Sequence, residues 1–166
     1  MNIRTTVCIL LFLLSTVQRV AAQNEMPIRD GKVFYENIDS SVLGNANELH
    51  GRARLWMADK FRDVKEVIKV DDTGNHILMG KGNFRFSTGL LAWTVDFSIR
   101  IDSKDNKYRV QFYDMKTVGS EGKGTPLEEV NKRKGWGKGK NQINEHVLLA
   151  FESLQQAMAS ETTKDF

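Results

Sequence analysis

A stretch of ten residues, 93–102, constrains the fold more than any other part of this 166-residue chain. Its apolar side chains alternate strictly with polar ones: Trp93, Val95, Phe97, Ile99 and Ile101 against Thr94, Asp96, Ser98, Arg100 and Asp102. This alternation is typical of a β-strand with one buried face and one face in water. The chain is therefore expected to build a sheet whose dry face must be covered by other elements.

Further strand patterns lie on both sides of this stretch. Strands are predicted over Val64–Val70, Ile77–Phe86 and Tyr108–Val118, with turn-forming residues concentrated in Asp71–Asn75 and Asp102–Asn106. Successive strands joined by short turns run antiparallel to each other. The sequence therefore predicts an antiparallel meander.

Two amphipathic helices are available to cover the dry face. Apolar residues recur at helical spacing in two stretches: Leu49, Ala53, Trp56, Met57 and Phe61, and then Ile143, Val147, Phe151, Leu154 and Met158. Asn45 and Glu48 form a capping-box pattern before the first helix, on which His50 is expected on the solvent side. A short third helix is predicted to start with Thr125 as its N-cap and Pro126 as its first residue.

One more strand, Lys32–Ile38, precedes the first helix and completes the order β-α-β-β-β-β-α-α. The predicted fold class is α+β, with an antiparallel meander sheet and two main helices packed on one face. We expect one domain over residues 23–166, with its core at about 32–160. A domain of this length buries about two-thirds of its unfolded surface, which suffices for a core.

Residues 1–22 are predicted to form a cleavable secretory signal peptide. Arg4 supplies the positive charge, Val7–Leu14 is an uninterrupted apolar run, and Ala21 and Ala22 offer a cleavage site. Eight apolar residues are far short of the roughly 20 that span a bilayer. The protein is therefore expected to be exported, either periplasmic or secreted, with no transmembrane segment after cleavage.

Cysteine and charge limit what the exported chain can do. The single cysteine, Cys8, lies within the predicted signal rather than at the cleavage point, so a lipoprotein, a disulfide and thiol chemistry are not expected. Loss of Arg4 and Arg19 would leave 22 cationic side chains against 21 acidic ones, compared with 24 against 21 in the full chain. A chain so close to neutral has no overall field that draws it to nucleic acid.

Motifs for cofactor, metal or nucleophile chemistry fail on spacing. Gly122-Lys123-Gly124-Thr125 lacks the adjacent Lys-Thr of a phosphate-binding loop. The histidines His50, His76 and His146 are scattered without a second ligand at usable spacing. We therefore expect no cofactor, no metal and no assigned catalytic residue.

The most unusual local feature is a glycine-rich basic segment, residues 132–140, which we call the basic segment. It holds five cations and a tryptophan but no acid: Lys132, Arg133, Lys134, Trp136, Lys138 and Lys140. These residues could bind a phosphate, an anionic lipid head group or a glycan, with Trp136 stacking on the ligand or entering an interface. The alternative is a solvated linker whose tryptophan folds back onto the core.

The polar face of the predicted sheet is the second candidate surface. The alternation places Arg85, Arg100, Arg109 and Tyr113 there. Arginine and tyrosine are enriched in binding sites. A plain hydrated sheet face is the alternative, because antiparallel sheets often leave one side in water.

One further set of residues resembles a known family. The set is Glu48-Leu49, Trp56, Phe61, Lys65, Val67-Ile68, Asp72, Gly74 and Gly80-Lys81-Gly82. It resembles exported bacterial proteins described as a domain of unknown function with a TBP-like fold. The resemblance implies a β-α-β4-α unit and a Gram-negative envelope or secreted setting, and it implies no activity or cofactor.

These features favour a non-catalytic binding module of the cell envelope or secreted fraction. The expected partner is an unknown envelope protein, a glycan or an anionic lipid, and not nucleic acid. Two alternatives remain open: a hydrolase with an unobvious site, and a carrier of an apolar small molecule in a cavity between the sheet and the last helix.

Overall fold

The computed structural model describes residues 25–61, 68–118 and 123–160. Residues 1–22, the predicted signal, lie outside this range. The elements in chain order are β1 (Ile28–Arg29), β2 (Lys32–Val33), β3 (Tyr35–Asp39), α1 (Ala46–Lys60), β4 (Ile68–Asp72), β5 (Ile77–Thr88), β6 (Leu91–Lys104), β7 (Lys107–Val118), β8 (Gly124–Pro126), α2 (Leu127–Asn131) and α3 (Gly137–Ala159).

The main sheet has six strands and is antiparallel throughout. Its order is β3-β7-β6-β5-β4, and the short β8 pairs with the far end of β7. Strands β4 to β7 are consecutive neighbours, so the predicted meander is confirmed. Strand β3 joins beyond β7, because the chain crosses the sheet through α1 before it enters the meander.

Both long helices pack on the same face of the sheet, as predicted. Helix α1 contacts β5, β6 and β7, while α3 contacts β3, β5 and α1. The stripes that the sequence singled out are buried or half-buried between them, and Leu49, Met57, Ile99, Ile143 and Leu154 are completely inaccessible. Burial of this apolar surface is the main force that holds the layers together. The α+β class is thus confirmed.

The predicted capping box at the start of α1 is present. The Asn45 side chain accepts a hydrogen bond from the Glu48 amide at 3.0 Å, and the Glu48 carboxylate accepts one from the Asn45 amide at 3.1 Å. Two amides that the helix cannot satisfy internally are therefore paired.

A β-bulge in β7 keeps its buried face continuous. Ser98 pairs with Tyr113 but Asp96 pairs with Lys116, so β7 carries one extra residue, and Asp114 adopts a φ of 49°. Before the bulge even-numbered residues such as Phe112 point inward, and after it odd-numbered residues such as Met115 do. Simple alternation along Tyr108–Val118 does not predict this change of phase.

Two predicted boundaries differ from the structure, and a third falls outside the described residues. The expected strand Lys32–Ile38 is divided: β2 pairs with β1 in a separate ribbon, and only β3 enters the main sheet. Thr125 is not a helix cap, because its backbone pairs with Thr117 in the sheet, and Pro126 is the residue before α2. The strand predicted from Val64 is seen from Ile68 onward; positions 64–67 lie outside the described residues.

Candidate functional site

The basic segment is shared between a loop and a helix. Helix α2 ends at Asn131 and α3 begins at Gly137, so residues 132–136 form the connection, and Lys138 and Lys140 lie in the first turns of α3. The part that could act as a linker is therefore shorter than the sequence suggested.

Trp136 fixes this connection to the sheet. Its ring meets Trp93 edge-to-face at 4.9 Å between centroids and Phe86 at 6.4 Å. It also lies over Gly139, where an added Cβ would be 2.8 Å from Trp136 Cε3. The tryptophan thus folds back onto the core, and its ring is half-buried. Such contacts hold the cations on either side of it near the β5–β6 hairpin.

The five cations of the basic segment have different environments. Lys140 is 9% exposed, and its Nζ donates to the Asn131 carbonyl oxygen at the end of α2. Its ammonium group therefore pairs with a backbone carbonyl group at the end of a helix and does not face a ligand. Lys132, Arg133, Lys134 and Lys138 are exposed. In the described part of the chain none of these four forms an ion pair.

An open groove of about 640 Å³ lies beside the basic segment. It is bordered by Lys132, Arg133 and Lys134 on one side and by Ile28 of the β1–β2 ribbon on the other. Two carboxylates, Glu25 and Glu128, also border it. The groove is thus of mixed charge, and the unpaired cations are its positive component.

Sequence reasoning missed the tip of the β5–β6 hairpin. Leu90 is fully exposed and Leu91 is 61% exposed. Gly89 adopts a φ of 64°, which allows the tight turn between the paired residues Thr88 and Leu91. The sequence did contain an indication of this surface, because two adjacent leucines occupy a hairpin turn, where polar residues are the norm.

The hairpin tip and the basic segment lie at the same end of the molecule. Trp93, which contacts Trp136, is only two residues from Leu91 on β6, and its indole N–H donates to Thr88 at 3.1 Å. At about 3.3 Å per strand residue, the leucine pair extends roughly 10 Å beyond this contact. We call the exposed leucines and the four exposed cations together the basic end.

The polar sheet face carries an ion-pair network centred on Asp102. Arg100 and Arg109 donate to its carboxylate at 2.7 Å and 2.9 Å, respectively. On β3, which is separated from β6 by β7, Glu36 accepts hydrogen bonds from Arg29 at 2.7 Å and from Gln111 at 2.6 Å. Two of the three arginines predicted on this face, Arg100 and Arg109, are thus already paired within the protein.

These contacts shift the acidity of both carboxylates. Partial burial acts to raise the pKa of Asp102, but hydrogen bonds from Arg100 and Arg109 outweigh it and place the pKa below its usual value of 3.8. The hydrogen bond from Arg29, followed by that from Gln111, lowers the pKa of Glu36.

The other two predicted residues of this face are not part of the network. Arg85 is exposed on β5 opposite Thr94, towards the basic end. Tyr113 is half-buried opposite Ser98, and burial raises the pKa of its phenol. The predicted polar-face set is therefore divided: Arg100 and Arg109 are paired, Arg85 is exposed, and Tyr113 is half-buried.

Replacement of Asp102 by asparagine should make the free energy of unfolding less dependent on pH in the acidic range. A lowered folded pKa means that the carboxylate stabilises the fold above about pH 4 and ceases to do so as the pH falls through the folded value. We expect a loss of about 1–3 kcal/mol at neutral pH, because two guanidinium groups lose their charged acceptor. Urea unfolding at pH 7 and pH 3 measures this, and an equal difference from wild type at both pH values would contradict it.

His50 does not lie on the solvent side of α1. It is 5% exposed, and its Nε2 lies 2.8 Å from Asp71 Oδ1, while Arg54 Nε pairs with the other oxygen at 2.8 Å. The pair ties α1 to the end of β4, a constraint that helical periodicity does not reveal. Within residues 25–61, 68–118 and 123–160, no group of three or more His, Cys, Asp or Glu side chains could hold a metal ion.

A second cavity lies between the dry face of the sheet and α3. Its volume is about 210 Å³, and its walls are mainly aromatic: Phe61, Phe84, Phe97, Phe112 and His146, with Val147 and Ala150. Phe97 lies at the centre of the rings, 6.0 Å from Phe61 and Phe84 and 5.0 Å from Phe112. His146 stacks on Phe84 at 4.6 Å.

The fold defines a class: an α+β protein with an antiparallel sheet and helices packed on one face. A family model described as "Domain of unknown function (DUF4468) with TBP-like fold" matches residues 34–117. The chain belongs to this family. The matched region ends before the basic segment.

Solved structures agree with this fold. A DUF4468 family protein from Bacteroides ovatus matches with a TM-score of 0.70 and 16% identity, over 84% of this chain and 94% of the other. A TBP-like protein from Parabacteroides distasonis matches with a TM-score of 0.61 and 12% identity, over 78% and 96% of the two chains. No curated protein matches the chain. None of the described helices is long and apolar enough to cross a membrane.

Proposed function

We propose that the protein is a non-catalytic binding module of the cell envelope or secreted fraction that attaches to an anionic lipid surface. One observation carries the proposal: an exposed leucine pair and four exposed cations share one end of the molecule. The predicted signal peptide supports the setting, since it would deliver the chain to the side of the membrane where such a surface lies.

The two parts of the basic end suit the two layers of a lipid surface. Leu90 and Leu91 at a narrow hairpin tip can enter the acyl boundary, where each apolar side chain that leaves water is stabilised. Cations near an anionic surface contribute about 1 kcal/mol each. Neither contribution alone holds a protein firmly on a membrane, and the two together are the usual requirement.

Other classes of ligand have less support. Two exposed leucines at a hairpin tip do not favour binding to the charged backbone of a nucleic acid. The nearly neutral chain also provides no general electrostatic attraction to it. On the sheet face, Arg100 and Arg109 are paired with Asp102 and so are not free for phosphates. The hydrolase alternative has no assigned residues, and His50 is held by Asp71 in a contact that joins α1 to β4.

Co-sedimentation with vesicles tests the proposal. The chain without residues 1–22 should sediment with phosphatidylcholine vesicles that contain phosphatidylglycerol, and much less with phosphatidylcholine alone. The double variant Arg133→Gln/Lys134→Gln should bind the anionic vesicles roughly 10- to 30-fold more weakly. Leu90→Ser/Leu91→Ser should weaken binding to a similar extent, and higher salt should affect the wild type more than the charge variant.

A charge-matched control comes from the other end of β6. Lys104 and Lys107 are exposed beside the β6–β7 turn, and β6 separates this turn from the β5–β6 tip. Lys104→Gln/Lys107→Gln removes the same charge and should change binding less than about twofold. Equal weakening by both charge pairs would show attraction to total charge only. Equal binding to both kinds of vesicle would overturn the proposal outright.

A further inference from the structure

The cavity between the sheet and α3 is separate from the basic end and calls for an explanation of its own. We propose that it is a binding site for a small molecule with one aromatic ring that carries a hydrogen-bonding group. The inference depends on the cavity's size, its ring geometry and His146, and it stands whether or not the protein binds lipid.

The cavity is a partly open pocket, bordered also by the exposed residues Lys60, Asn83 and Leu149. At about 210 Å³ this cavity exceeds the roughly 150 Å³ apolar cavity that is known to bind benzene. Most of its wall is apolar, and Lys60, Asn83 and His146 are the polar side chains that border it. An apolar ring is therefore a better occupant than ordered water.

The ring geometry around the cavity suits an aromatic guest. Phe97 meets Phe112 edge-to-face at 62° and Phe61 at 59°, so edges and faces of phenyl rings both border the space. Aromatic pairs prefer such inclined or offset arrangements, and each adds stabilisation beyond its buried area. An aromatic ring in the cavity could therefore extend the cluster already present.

Gly82 contributes to this arrangement from the sheet. A Cβ there would lie 2.7 Å from Phe97 Cζ and 2.8 Å from Phe61 Cε1. The absence of a side chain lets both rings lie directly on the backbone of β5, which places them at the cavity's floor.

His146 gives the cavity a polar group. Its ring is half-buried and stacks on Phe84 with an interplanar angle of 22°. In the described residues its imidazole nitrogens have no hydrogen-bond partner. A ring nitrogen that can donate or accept beside an apolar space favours a guest with a hydroxyl or N–H group. Phenol and indole are simple representatives of this class.

Ligand-observed NMR and calorimetry with phenol, indole and toluene test the site. Phenol and indole should bind with dissociation constants on the order of 1 mM or lower. Ala150→Leu fills the cavity and should weaken both at least about tenfold. Ala159→Leu, at the exposed end of the same helix, adds the same side chain away from the cavity and should change neither.

A second variant separates the two parts of the proposal. His146→Phe keeps a ring against Phe84 but removes the nitrogens, so it should weaken phenol several-fold and leave toluene unchanged. Thermal melting of each variant shows that it is folded before binding is compared. The proposal is overturned if the wild type binds none of the probes, or if folded Ala150→Leu binds phenol as the wild type does.

Discussion

Replacement of Gly82 by alanine should lower the free energy of unfolding by about 1–3 kcal/mol. The added methyl group would lie 2.7 Å from one aromatic carbon of Phe97 and 2.8 Å from one of Phe61, both inside van der Waals contact. Phe97 cannot move away on the side where it packs against Phe84 and Phe112. Urea unfolding followed by circular dichroism measures the change.

The same substitution elsewhere in the chain should have the opposite sign. Gly51 lies within α1, and a Cβ there would meet nothing within 4 Å. Gly51→Ala should therefore stabilise the protein by about 0.5–1 kcal/mol, since alanine loses less backbone entropy in a helix. If Gly82→Ala proved neutral or stabilising as well, the close approach of the rings to β5 would be wrong.

Replacement of Trp136 by alanine should destabilise the protein by about 2–3 kcal/mol. A fully buried tryptophan costs about 3–5 kcal/mol when truncated to alanine, and Trp136 is half-buried. The loss of its contacts with Trp93 and Phe86 should also release the start of α3 from the hairpin. Faster amide hydrogen exchange at Lys140, whose N–H donates to the Trp136 carbonyl, would report this release.

A double-mutant cycle with Gly139 makes this test specific. In the wild type Gly139→Ala should be unfavourable, because its Cβ would lie 2.8 Å from the indole ring. In the Trp136→Ala background the ring is gone, and the same change should stabilise the helix by about 0.5–1 kcal/mol. Additive effects of the two substitutions would contradict the packing of Trp136 on Gly139.

Much of the fold was predictable because its elements follow strong periodic patterns. The alternation in 93–102 corresponds to β6, and the two helical stripes correspond to α1 and α3. The predictions were wrong where a residue contacts a partner that is distant in the sequence. Thr125 pairs with Thr117 instead of capping a helix, and His50 turns inward to meet Asp71. Local patterns carry no information about such partners.

The sequence predicted which residues belong to the candidate surfaces, but not which of their side chains are exposed and unpaired. Charge alone identified Lys140 together with Lys138, yet one is buried on a helix end and the other is exposed. In the same way, Arg100 and Arg85 share the polar face, but only Arg100 has a carboxylate within reach. The aromatic cavity was anticipated only as one alternative, since its volume depends on how the rings pack.

The alternation in 93–102, by itself, determined that this chain forms a sheet with one dry face, because side chains on a strand must point alternately to opposite sides. The helical stripes determined what covers that face. Only the tertiary structure decided that the leucine tip lies beside the basic segment and that Asp102 pairs with Arg100 and Arg109. It also decided that a pocket lies beside His146. The physical reason is that pairing and packing between distant residues depend on distances in space, which sequence spacing does not specify.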